Sequence, residues 1–164
     1  MPKRGTYRPL TTEGVIVDSI ISVPFGALFG GVAGSLGKGA LSFFSPAMAS
    51  AAGNFATFAG VGMIAAPLTI IPNFIINNLL ARSDFLKKHP NLASFVANTA
   101  DFLITLGAVT VGAALLSASL PATLISMMII PTALYVLNTL CNLINACLHG
   151  ADKQLEHTAA SLSQ

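Results

Sequence analysis

The chain has 164 residues, 54% of them hydrophobic and only 9% charged, with a net charge of +2 and a mean hydropathy of +0.76. Globular domains carry about 25% charged residues, and six acids with eight bases cannot coat a domain of this size, which excludes a water-soluble globule. A charge of +2 without a basic face likewise excludes nucleic acid as a partner.

Residues 1–13 are polar and basic, holding Lys3, Arg4 and Arg8, while Pro2, Gly5 and Pro9 oppose helix; they read as a solvated arm. A secretory signal needs a short basic start before its apolar core. This arm is too long, and Glu13 and Asp18 intrude, so the first helix is expected to be retained. The first crossing is expected near 15–36, with Asp18 at its entry and a kink at Pro24. Residues 39–53 are rich in Ser, Ala and Gly and read as a loop or a short interfacial segment. A second crossing follows near 55–80. Pro67 and Pro72 interrupt its backbone bonding, which a neighbouring helix or the Thr69 hydroxyl must replace.

The charged cluster at 82–90 reads as a loop, with Pro90 suited to the first turn of the next helix. Residues 102–151 then contain no Asp, Glu, Lys or Arg across fifty positions. Roughly 20 apolar residues cross a bilayer as a helix, so this stretch supports two crossings with a turn at Pro121. They are placed near 92–119 and 124–148, the latter containing Pro131. The polar tail, 150–164, is expected as a frayed helix or as disorder.

The expected fold is therefore all-α: an integral membrane bundle of four transmembrane helices over 14–149, flanked by the arm and the tail. The arm, the 82–90 loop and the tail hold Lys3, Arg4, Arg8, Arg82, Lys87, Lys88 and Lys153, whereas the opposite side holds Lys38 alone. The positive-inside rule then makes both termini cytoplasmic.

Two patterns carry functional weight. Gly26, Gly30 and Gly34 recur every four residues, so they share one helix face from which side chains are missing and to which another backbone can come close. Gly60, with Ala52 and Ala56, and Gly112, with Ala108, extend this small-residue spacing to the second and third crossings. The face serves either self-association or packing inside one bundle. The second pattern is polar: Asn138, Asn142 and Asn145 stripe the fourth helix, Asn98 and Asp101 the third, and Asn73 and Asn77 the second. These residues line a polar pathway, or else meet headgroups and water where helices overhang the hydrocarbon. Asp101 is either a deep intramembrane acid, and then a functional residue, or a marker of the boundary.

Catalytic and cofactor signatures are missing. The glycine-rich runs before Lys38 and at 60–65 lack the Ser or Thr and the strand-and-helix setting that phosphate and dinucleotide loops need. No metal-ligand spacing occurs; Cys141 and Cys147 read as small buried side chains, with lipidation of Cys147 the alternative. The chain is thus read as a non-enzymatic membrane component without cofactor or metal. It has the lipid bilayer as its surroundings and a second copy or other membrane proteins as partners. The alternatives are a small channel or transporter of unidentified solute, and a secreted bacterial effector or toxin that inserts into a target membrane.

Overall fold

The computed structural model describes residues 12–116 and 119–162, which form six helices and no strand. These are α1 (Thr12–Phe44), α2 (Pro46–Ala51), α3 (Phe55–Arg82), α4 (Asp84–Lys88), α5 (Pro90–Leu116) and α6 (Leu120–Leu162). Within them lie four apolar stretches, Glu13–Phe44, Phe55–Leu80, Asn91–Leu116 and Leu120–Leu148. The shorter two have 26 residues each, or about 39 Å at 1.5 Å per residue, against a hydrocarbon core of ~30 Å. Only 11% to 28% of each apolar window is buried. Side chains such as Phe25, Phe29, Leu36, Leu115 and Leu137 therefore point outward. That surface is far larger than a soluble monomer exposes, and lipid is the solvent that matches it. The chain is a membrane helical bundle.

Apolar solvent also explains why every long segment is helical, since a helix satisfies its backbone groups internally. The hydroxyls follow suit. Ser22 donates to the Ser19 carbonyl at 2.8 Å, and Thr69 and Thr110 donate at 2.7 Å to the Ala66 and Leu106 carbonyls. α1 passes through Pro24, α3 through Pro67 and Pro72, and α6 through Pro131. Proline at 67 and 72 frees the carbonyls of Met63 and Leu68. Thr69 bonds neither of them.

The long helices form a ring in which α1 packs on α3 and α6, and α5 packs on the same two. Gly26 lies beside Gly62 and Ala66, whereas Gly34 lies beside Phe58, so α1 and α3 run antiparallel. Gly112 beside Val61 and Gly60 beside Leu116 give the same relation for α3 and α5. Short connections suffice for such an up-and-down order. The start of α1 and the later part of α6 consequently emerge at the same end.

Burial is confined to the other end. The buried apolar residues there include Leu41 of α1, Phe58, Val61 and Ala65 of α3, Ala108, Val109 and Ala113 of α5, and Ala122, Met127 and Met128 of α6. Among the described residues, none at 13–29, 66–82, 91–107 or 129–148 is fully buried. The bundle is thus closed where α1 hands over to α3, and open toward the helix ends that carry the charges.

Several boundaries differ from the expected ones. α1 runs eight residues beyond 36, because Gly37 and Lys38 do not break it: Gly37 admits the α6 backbone at Ser126, and Lys38 finds hydrogen-bond partners in the connection between α2 and α3. Of the two readings of 39–53, a loop or a short interfacial segment, the loop fails, since α1 takes up 39–44 and 46–51 form the short helix α2; the 82–90 segment includes the single turn of α4. α6 begins at Leu120, with Pro121 in its first turn, where the missing N–H is harmless. It continues to Leu162, through most of the expected tail. The arm lies outside the described residues as far as position 11, as do Ser117, Ala118 and the last two positions.

Candidate functional site

The glycine face of α1 is occupied from within the chain. A Cβ built on Gly30 would fall 2.6 Å from the Phe58 carbonyl oxygen and 2.8 Å from the Gly62 Cα. On Gly26 it would strike the Gly62 carbonyl oxygen, and on Gly34 the Phe58 ring. Real Cβ atoms do not come so close, so α1 and α3 touch backbone to backbone. Of the two uses expected of this face, self-association and packing inside one bundle, the geometry is that of the second: an internal seam. Its α3 half is Gly62 with Ala66, not the Ala52, Ala56 and Gly60 series. Ala52 precedes α3, Ala56 is exposed, and Gly60 faces Leu116 of α5. Gly112 packs against Val61, 2.9 Å from its carbonyl oxygen.

The polar stripes meet in part. Asn98, Asp101, Phe102 and Thr105 of α5 face Pro131, Leu134, Tyr135 and Asn138 of α6 across a cleft of about 240 Å³ that is open on one side. Tyr135 joins its two walls. The Tyr135 hydroxyl lies 3.1 Å from the Thr99 hydroxyl, which donates to the Phe95 carbonyl at 2.9 Å, so the tyrosine is the donor between the two hydroxyls. The Tyr135 ring also stacks on Phe102 with centroids 4.8 Å apart. Asp101 is exposed on the cleft rim, as is Asn138. Buried side-chain atoms without a hydrogen-bond partner recur through this open half: Asn98 Nδ2, Asn142 Nδ2, Asn73 Oδ1 and Thr139 Oγ1. Asn73 and Asn142 are half-buried outside the cleft, while Asn77 and Asn145 are exposed.

Tyr135 and Gly62 are the residues that sequence reasoning missed. A lone tyrosine in an apolar run carries no periodic signal. Gly62 could have been found from the Gly62–Ala66 spacing, which matches that of Gly26 and Gly30. Cys141 and Cys147 are exposed free thiols rather than buried ones, because an apolar helix bordered by lipid does not reveal which side is inside. No group of three or more His, Cys, Asp or Glu side chains gathers among the described residues.

The closed end holds a second polar cluster. Lys38 Nζ donates to the carbonyls of Ala52 at 3.2 Å and Gly53 at 3.0 Å, and the Gly53 N–H donates to Thr123 Oγ1 at 3.4 Å. Asn54 then caps α3, its side chain accepting from the Thr57 N–H at 3.0 Å and the Thr57 hydroxyl at 3.1 Å. Ser126, fully buried, keeps its hydroxyl without a partner. Compared with family models, with curated proteins and with solved structures, the chain matches none.

Proposed function

We propose that this chain is a non-enzymatic multi-pass membrane protein that works as a subunit of a larger membrane assembly. A partner transmembrane segment docks on its open half, and both termini are cytoplasmic. The observation that carries this reading is the polar side of one half, where Asn77, Asp101 and Asn138 are exposed and the half-buried Asn73, Asn98, Thr139 and Asn142 each hold an enclosed polar atom without a partner, on three helices. In hydrocarbon such groups seek partners from adjoining helices. The glycine face is already used inside the chain, which leaves the polar side of the open half, with Asn77, Asp101 and Asn138 exposed on it, as the adhesive surface. The test is to extract the protein from its native membrane in mild detergent and measure particle mass. Asn98→Leu and Asn142→Leu together should release a folded monomer from a larger wild-type particle. A wild-type particle already of monomer mass refutes the proposal.

The cleft favours a second reading, a polar pathway through Asp101. The Asn91–Leu116 stretch exceeds the hydrocarbon core by about 9 Å, and an overhang taken wholly at the open end leaves Asp101 about 6 Å below the boundary. A carboxylate at that depth reaches water through the cleft. Proteoliposome flux separates the readings, since Asp101→Asn alters flux through a pathway and leaves an assembly surface silent.

A further inference from the structure

The closed end presents no free charge. Lys38 is the only Asp, Glu, Lys or Arg between Asp18 and Arg82, and residues 102–151 have none. Its ammonium is turned inward onto the Ala52 and Gly53 carbonyls instead of outward as a rim cation. Beyond it, α1 continues to Phe43 and Phe44, which are 88% and 87% exposed, the highest values among the described large apolar side chains. α2 folds back from this tip against α1 and α6, and Leu41 of α1 and Ala49 of α2 are both buried.

We propose that this hook is a membrane-embedded tip, with Phe43 and Phe44 held at the boundary between acyl chains and headgroups and Lys38 lying beneath them as an internal charge. Three observations select lipid as the occupant. First, the two rings are adjacent in sequence and so diverge by about 100° around the helix, and both are almost wholly exposed, which calls for an apolar medium on more than one side of the tip. Second, Phe43 stands seven residues, about two turns, beyond Leu36 and so on the same helix face as Val32 and Leu36, whose outward apolar surface it continues. Third, the length fits. From Asp18 to Phe44 the helix rises about 39 Å, roughly 9 Å more than the hydrocarbon core, while each headgroup layer adds about 5–7 Å. Helix tilt within the observed range, up to about 40°, takes up the remainder.

The chain contains no tryptophan, so one introduced indole reports alone. Phe44→Trp and, as a mid-helix reference, Phe29→Trp are reconstituted in nanodiscs, whose two faces are both open to reagents. The discs contain lipids brominated at defined acyl depths. The Phe44→Trp indole should emit at short wavelength, be quenched most by shallow bromines and little by aqueous iodide, while the Phe29→Trp indole is quenched most by deep bromines. Strong iodide quenching of the Phe44→Trp indole overturns the proposal in favour of a water-exposed tip. Quenching by neither agent overturns it in favour of a second copy. In the wild-type protein, a water-soluble amine-acylating reagent should label Lys88 and spare Lys38; equal labelling rates would show the Lys38 ammonium to be open to water.

Discussion

Gly30→Ala tests the backbone seam between α1 and α3 directly. The added methyl would sit 2.6 Å from the Phe58 carbonyl oxygen and 2.8 Å from the Gly62 Cα, against the ~3.5 Å or more of ordinary carbon contacts. Both neighbours are backbone atoms of a helix, so no side chain can swing aside. The two helices must part by most of an ångström, and overpacking of this kind costs about 1–3 kcal/mol. Alanine returns up to ~1 kcal/mol through helix propensity, leaving a net loss centred on about 1 kcal/mol. Gly39→Ala and Gly107→Ala are matched controls, because a Cβ at either position meets nothing within 4 Å. These should be neutral, or stabilising by less than ~1 kcal/mol. The assay is pulse proteolysis during titration of SDS into mild-detergent micelles, comparing unfolding midpoints at equal protein and lipid content. If Gly30→Ala unfolds at or above the wild-type midpoint while the controls behave as stated, α1 and α3 are not in backbone contact and the seam is wrong.

Three further outcomes are expected in the same assay. Tyr135→Phe removes the hydroxyl that donates to Thr99 but keeps the stack on Phe102, so it should lose about 0.6 kcal/mol, a typical value for an interhelical bond in a membrane. Lys38→Met deletes both bonds to the Ala52 and Gly53 carbonyls and should lose about 2 kcal/mol, the scale of a hydrogen bond to a charged group; lysine and arginine at this position should rank above methionine. Asn54→Ala uncaps α3 and should cost about 1 kcal/mol, most of which Asn54→Ser should restore.

Four membrane-length helices were legible because uncharged runs of that length have one economical fold in lipid. Helix ends were less so. Gly37, Lys38 and Gly39 resemble a break, yet the first glycine is a contact with α6 and the lysine is bonded to the connection between α2 and α3, both of which need the tertiary fold to be seen. The Gly26, Gly30 and Gly34 spacing showed that some backbone approaches α1, but spacing alone does not say whose. The polar cleft was half legible. Asn98, Asp101 and Asn138 stand out against an apolar background, whereas the aromatic and hydroxyl contacts of Tyr135 depend on the pairing of α5 with α6. The exposure of Cys141 and Cys147 was hidden for a related reason: outward-facing and core positions are equally apolar when hydrocarbon lies on both sides.

The confinement of burial to one end has a mechanical consequence. Four rods clamped near one end behave as tweezers: a pivot of roughly 5° at the clamp swings a point 20 residues away through about 3 Å. The arms carry Asn73 on α3, Asn98 on α5 and Asn142 on α6; Tyr135 ties the last two together through Thr99 and Phe102, so such a pivot would move the amide of Asn73 against the other two as a pair while the clamp stays in place.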